Sequence, residues 1–389
     1  LPRILFLSAA VGVGHTAAAN AVRDALLARD PSLETETVDS YQYAASIFAK
    51  IVADGYIGMV KTVPAVYAYL YGRVERARNV PAARRFVNRY TAANLRAFVE
   101  RLRPDLVVCT HAFPCGVMSE YKRQFDPHLP VVGIVTDFVV HPFWIYPNVD
   151  AYAVATEDMC RELTRRGVAA ERILVSGIPV DMRYGAIPGD REALRRRLGL
   201  PHGRHIVLIM GGGVGIGPLD KMMRALGRVE VPIAAAVIVG RNRRLEKRVL
   251  AAAERTPYPL RVFGFVDNVF DYMHASDVLL SKPGGLTSSE ALAARLPMIL
   301  VRPLPGPEER NTRYLVDSGA AIRTNSESEL AAAVQEMLTS EPRRTERAAR
   351  VDAVRRPDAA ARVAERIVQL LASRARTSVR SQGLPTLGG

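Results

Sequence analysis

Cysteine is scarce. The 389-residue chain has three, Cys109, Cys115 and Cys160, with no CxxC spacing, which excludes a disulfide framework and a cysteine-built zinc centre. A cytosolic chain with reduced thiols is expected. Long apolar runs are also missing. None approaches the roughly 20 residues that cross a bilayer, and Leu1–Ser8 turns polar too soon for a secretory leader. A soluble or surface-bound protein is expected, with the first residues forming a buried strand. Tryptophan occurs once, at Trp144, and lysine supplies few of the 53 cationic residues. With 49% hydrophobic and 24% charged residues, the composition excludes wholesale disorder.

What is abundant is arginine. The 53 cations exceed the 39 acids, for a net charge of +14, but the excess is local. Residues 73–103 hold nine arginines against two glutamates, and residues 342–380 hold eleven against four acids. The rest of the chain is balanced. A uniformly basic surface is excluded, and no DNA- or RNA-binding motif accompanies the charge, so no nucleic-acid partner is expected.

Short apolar runs alternate with helical patterns, the signature of parallel sheets covered by helices. The spacing predicts strands at Ile4–Ala10, Leu106–Thr110, Val131–Thr136, Ala151–Ala155, His205–Met210, Ile233–Val239, Val278–Ser281 and Met298–Arg302. A polar, arginine-rich stretch near 177–203 separates two halves. The fold class expected is α/β, with two Rossmann-like doubly wound domains at 1–178 and 179–356. A flexible tail is expected at 374–389.

Three strand–loop–helix junctions are rich in glycine: Ser8–His15 with Gly12 and Gly14, Gly211–Gly217 with Gly212 and Gly213, and Ser281–Glu290 with Gly284 and Gly285. Glycine lets backbone N–H groups approach a ligand, and a helix N-terminus favours phosphate without a metal. A tight βα turn explains each loop equally well when it is taken alone. The dinucleotide fingerprint is incomplete and lacks its acidic partner, and the G-x-x-x-x-G-K-[ST] loop is absent. NAD dehydrogenase and ATPase readings are disfavoured. In the third loop Thr287 joins the glycines as a phosphate donor, and Glu290, one turn on, can accept the hydroxyls of a ribose. Glu309 and Asn311 follow on the next loop, within reach of a sugar.

Lys282-Pro-Gly-Gly-Leu-Thr-x-x-Glu-Ala with Gly306-x-Glu-Glu-x-Asn311 resembles the donor site of inverting UDP-sugar glycosyltransferases of the two-domain GT-B fold. Ile4-Leu-Phe-Leu-Ser-Ala-x-x-Gly12-x-Gly14-His15, Tyr56-x-x-x-Val60-Lys-Thr-x-Pro64 and Thr136-Asp137-Phe-x-x-His141-Pro-x-Trp144 narrow the resemblance to monogalactosyldiacylglycerol synthase and the processive diacylglycerol glucosyltransferases. It spans roughly residues 3–372 and departs from the family at Pro307, where a glutamine is usual. The resemblance implies a hexosyltransferase that moves a sugar from a UDP-hexose to diacylglycerol at the cytoplasmic face of the membrane. It needs no cofactor or metal, and its last helix, 357–373, crosses back to the N-terminal domain. Other readings are transfer to a polyprenyl-linked or soluble acceptor, a UDP-sugar epimerase, or a non-catalytic UDP-sugar-binding relative.

His15, at a helix start and with an ordinary pKa near neutrality, is the candidate general base. Asp137, at the end of an apolar strand, assists or replaces it. Gly14, Gly212, Gly213, Gly284, Gly285, Thr287, Glu290, Glu309 and Asn311 are the candidate donor contacts, and His141 and Trp144 the acceptor contacts. Residues 41–72 carry six of the fourteen tyrosines and run into the first basic segment. Tyr56, Tyr67, Tyr69, Arg84, Arg85 and Arg89 are therefore candidates for docking to an anionic membrane. The same stretch also suits a helical core hairpin beside a solvated arginine face.

Overall fold

The computed structural model describes residues 1–9, 13–43, 80–187, 189–213, 215, 217–303 and 306–382. It contains two six-stranded sheets. The first is built from β1 (Arg3–Ser8), β2 (Glu34–Asp39), β3 (Leu106–Cys109), β4 (Val131–Ile134), β5 (Ala151–Val154) and β6 (Ile173–Val175). The second comprises β7 (His205–Met210), β8 (Ile233–Ile238), β9 (Leu260–Phe263), β10 (Val278–Ser281), β11 (Met298–Val301) and β12 (Ala321–Thr324). Among the described residues every strand pairing is parallel.

Central strands of parallel sheets are covered on both faces, so they read as unbroken apolar runs. Ile4, Leu5, Phe6 and Leu7 of β1 are all fully buried, as are Ile206 to Ile209 of β7. Neighbouring side chains on β1 serve different layers. Leu5 and Leu7 join a cluster that continues through Phe138, Ile178, Val180 and Tyr184 to Leu208 and Leu300 of the second sheet. Ile4 and Phe6 pack with Val22 and Leu26 of the helix Val13–Arg29. The first cluster thus makes the apolar interior continuous from one domain to the other.

The strand orders place the site. The first sheet runs β2-β1-β3-β4-β5-β6 and the second β12-β11-β10-β7-β8-β9. The order reverses between β1 and β3 and between β7 and β10, so loops leaving those strands diverge and open a crevice at each carboxyl edge.

The last helix, Ala359–Gln382, returns to the first sheet. Ala360, Val363, Ala364 and Ile367, on one helical stripe, are buried against Ile4, Phe6 and Val22. Gly177 makes room for the return: its φ is +92° and a Cβ there would lie 2.5 Å from Cβ of Arg356. The helix continues nine residues past 373, where the tail was expected to begin, so part of that segment is helical; residues 383–389 lie outside the described residues. Among the described residues no helix is long and apolar enough to cross a membrane.

Candidate active site

The two crevices face each other across a narrow gap. A Cβ on Gly14 would lie 3.5 Å from Leu286, and one on Gly213 would lie 2.6 Å from Val13. At Gly285 a Cβ would drive into the carbonyl oxygen of Thr136. The glycines of the second domain therefore divide into two kinds. Gly213 and Gly285 are where the first domain seats, so their missing side chains serve domain approach. Gly212 (φ +70°) and Gly284 have no atom near their Cβ positions, leaving space for a ligand beside the backbone.

His15 lies in the first turn of the helix after β1. Its Nδ1 is 2.9 Å from the carbonyl oxygen of Thr110 and 3.0 Å from the hydroxyl of Thr136. A carbonyl only accepts, so Nδ1 carries the proton and Nε2 keeps its lone pair. Protein surrounding the ring holds its pKa below the usual histidine range, while the charge of Asp137 and the Thr110 bond pull the other way. His111, whose ring packs edge-on to His15 at 4.8 Å, accepts from the backbone N–H of Phe113 and caps the helix Ala112–Gln124. Burial pushes its pKa well down, so it is a neutral cap.

Asp137 follows β4. Burial raises its pKa; the amide of Asn311 and the charge of His15 lower it, and Glu308 raises it further. Asn311 corrects an expectation. It is fully buried, its amide donates to Asp137 Oδ1 at 2.9 Å and to the Pro283 carbonyl at 3.1 Å, and its oxygen accepts from Phe138 N–H at 3.0 Å. Both amide hydrogens and the oxygen are engaged by protein, so here Asn311 does not present polar atoms to a sugar.

On the donor side, the helix Gly285–Ala293 starts at Gly284 with no side-chain cap, which leaves its first N–H groups unserved by side chains. Thr287 is half-buried in its first turn. Glu290 takes a hydrogen bond from the Tyr184 hydroxyl, and burial with the nearby charge of Asp181 pushes its carboxyl up to about 7. Lys282 Nζ sits 2.8 Å from Glu308 Oε1, both side chains largely buried. Beside them a cavity of about 390 Å³ is lined by Lys221, Arg248, Lys282 and Arg302 with Asp220, Gly217 and Pro218. Glu309 requires a second correction: it pairs with Arg323 on β12, and Glu308 is the acid that meets the glycine loop. The helix starting at Pro307 turns successive residues about 100° apart, so only one of the adjacent acids faces inward.

The acceptor side differs more. Trp144 is 5% exposed and belongs to the core, so it is a packing residue and not an acceptor contact. His141 caps the short helix Pro142–Trp144 by accepting from Phe143 N–H, and its ring meets Phe143 edge-on at 4.4 Å. Arg84, expected at the membrane, turns inward: its guanidinium lies 5.2 Å from the Phe143 ring and 4.9 Å from the Tyr146 ring. Arg85 and Arg89 are exposed on the helix Val80–Leu102, beside Phe86 at 71% and Tyr90 at 49% exposure. Tyr56, Tyr67 and Tyr69 lie outside the described residues.

Five groups joined the site without being picked out in advance. Lys282 and Glu308 lay within motifs already noted, and their charges were the available signal. Thr136 opened a noted motif, but nothing marked its hydroxyl; the Thr110 carbonyl and Tyr184 carried no signal, because their roles come from how distant segments pack.

Residues 15–180 match the monogalactosyldiacylglycerol (MGDG) synthase family, and residues 190–352 match the glycosyl transferases group 1 family. The chain is 28% identical over 370 residues to the processive diacylglycerol beta-glucosyltransferase of Bacillus cereus (strain AH187), covering 94% of this chain and 93% of that protein. Among solved structures it resembles Acinetobacter baumannii MurG (TM-score 0.59, 17% identity, 95% of this chain and 100% of that one). It also resembles the UDP-GlcNAc 2-epimerase of Neisseria meningitidis bound to UDP-GlcNAc (TM-score 0.60, 13% identity, 95% and 100%). These structural likenesses bear on the fold, which is the two-domain GT-B arrangement.

Proposed function

We propose that this GT-B glycosyltransferase, whose two halves match the MGDG synthase and glycosyl transferases group 1 families, transfers a hexose from a UDP-sugar to the hydroxyl of diacylglycerol, with inversion at the anomeric carbon. The observation that carries the reading is the opposition of the two crevices. A histidine with an unprotonated Nε2 stands at one strand-order reversal, and an uncapped, glycine-opened helix with Glu290 stands at the other.

In this reading the diphosphate lies against the backbone of Gly212 and Gly284 and the first turn at Thr287. Helix dipole and basic cavity offset its charge there. Glu290 accepts from the ribose hydroxyls, giving up the Tyr184 bond. The acceptor hydroxyl approaches the sugar from the face opposite the diphosphate. Its oxygen bonds to the anomeric carbon as the carbon–oxygen bond to the diphosphate breaks, UDP leaves with that electron pair, and His15 Nε2 takes the hydroxyl proton. Asp137 steadies the resulting imidazolium. Arg85, Phe86, Arg89 and Tyr90 suit a surface that rests on an anionic bilayer, where diacylglycerol is found.

The test offers UDP-glucose, UDP-galactose and UDP-GlcNAc to the protein with diacylglycerol vesicles, with soluble acceptors, and with no acceptor, followed by product mass analysis. A glycolipid formed only with vesicles supports the reading. Products with soluble acceptors alone overturn the lipid assignment, and conversion of the UDP-sugar without any acceptor points to an epimerase.

A further inference from the structure

Asp137 and Asn311 are 174 residues apart and belong to different domains. One amide group of Asn311 meets three partners. Two of them, the Asp137 carboxylate and the Phe138 N–H, belong to the first domain; the third, the Pro283 carbonyl, belongs to the glycine loop before Gly284. Around this amide the domains are in close contact. Gly285 has no room for a side chain beneath Thr136, and the rings of Phe138 and Tyr314 stack at 4.9 Å with planes 17° apart. The residue is fully shielded from water, so an amide without these partners would be left unsatisfied. A contact so dependent on both domains forms only when they are together.

We propose that Asn311 is a positioning residue that ties the Asp137 carboxylate, beside His15, to the donor glycine loop, so this carboxylate is oriented and kept charged only while the two domains are together. This rests on the assignment of His15 and Asp137 to transfer chemistry. Besides Asn311, the groups acting on Asp137 are His15, from the helix Val13–Arg29, and Glu308, from the helix Pro307–Asp317. Glu308 is itself paired with Lys282. Of the three, Asn311 is the one that donates to the carboxylate; its bond and the charge of His15 favour the charged form, and Glu308 opposes it.

The test compares Asn311→Ala and Asn311→Ser with the wild-type full chain. The expected result is a fall of at least tenfold in kcat with UDP affinity within threefold of wild type. The acidic limb of the pH–rate profile moves to higher pH, because the carboxyl has lost its donor. In Asp137→Asn the further substitution of Asn311 costs little, since the two act together. Solution scattering supplies a readout without turnover: the variants show a larger radius of gyration than wild type. A raised KM for the UDP-sugar with unchanged kcat and pH profile identifies a sugar contact and overturns the proposal, as does an unchanged radius of gyration. If wild type transfers no sugar, the transfer reading fails while scattering still decides whether Asn311 clasps the domains.

Discussion

The ring Nδ1 of His15 donates to the carbonyl oxygen of Thr110 across 2.9 Å, and this bond decides which nitrogen is free to accept a proton. The carbonyl belongs to the residue after β3 and the histidine follows β1, so the sheet itself sets the tautomer. His15→Ala should lower kcat/KM for transfer by about 10²–10⁴-fold while UDP binding by calorimetry stays within a few fold. Since burial holds the ring below the usual histidine range, wild-type kcat/KM should stay level through neutral pH and decline only below that range. A decline already complete at neutral pH would remove His15 from the role.

Glu290 predicts a pH dependence of donor binding. With its carboxyl at about 7, it carries a proton in the mildly acidic range and must lose it to accept from both ribose hydroxyls at once. UDP should therefore bind more tightly as pH rises from 6 to 8, and Glu290→Gln should bind weakly with little pH dependence. The folded-state value lies above the unfolded one of about 4.3, so the ligand-free native protein holds the extra proton between them. Glu290's contribution to stability is present below the unfolded value and is lost as pH rises through about 7. Melting curves should show wild type losing stability relative to Glu290→Gln over that interval.

Adjacent glycines should respond oppositely to one methyl group. Gly284→Ala has free space and φ near −67°, so its melting temperature should stay within a degree or two. Its UDP affinity should nevertheless fall about tenfold as the methyl meets the phosphate. Gly285→Ala collides with the Thr136 carbonyl and should oppose domain closure, with kcat reduced more than UDP affinity. Equal effects at the two positions would contradict the division between ligand-facing and domain-facing glycine.

The exposed Arg85 and Arg89 can each add about 1 kcal/mol to binding at an anionic surface, together about 2 kcal/mol, or roughly 30-fold in partition. The double substitution to serine should weaken sedimentation with phosphatidylglycerol vesicles by up to that factor and flatten its salt dependence. Phe86→Ser should weaken it without changing the salt slope. Arg84→Ser, which loses contacts to Phe143 and Tyr146, should lower thermal stability instead.

The eight strands predicted from apolar runs are all present, and the four not foreseen are β2, β6, β9 and β12, the outer strands of the two sheets. An outer strand has one neighbour and meets solvent. Glu34–Asp39 accordingly reads ETETVD, and Leu260–Phe263 contains an exposed arginine. Such segments lack the unbroken hydrophobicity that marks a covered strand. At the site, loop glycines and charged residues were legible because their chemistry is local. The inward turn of Arg84, the burial of Trp144 and the choice of Glu308 over Glu309 depend on packing between distant segments, which spacing along the chain does not encode. Asn311 shows the limit best: its motif identified the residue, but its partners come from the other domain.

The return of the last helix to the first sheet has a consequence on the ribosome. Ala360, Val363, Ala364 and Ile367 complete the layer that covers Ile4 and Phe6, yet they are synthesised after all of β7 to β12. At about 5–20 residues per second, the nascent first domain waits roughly ten seconds or more with one sheet face only partly covered, by the helix Val13–Arg29. The second domain, complete at β12 and the helix Glu327–Thr339, meets no such delay. The half made first is thus the half finished last, and newly made chains are most exposed to chaperones and to aggregation along the Ile4–Phe6 face.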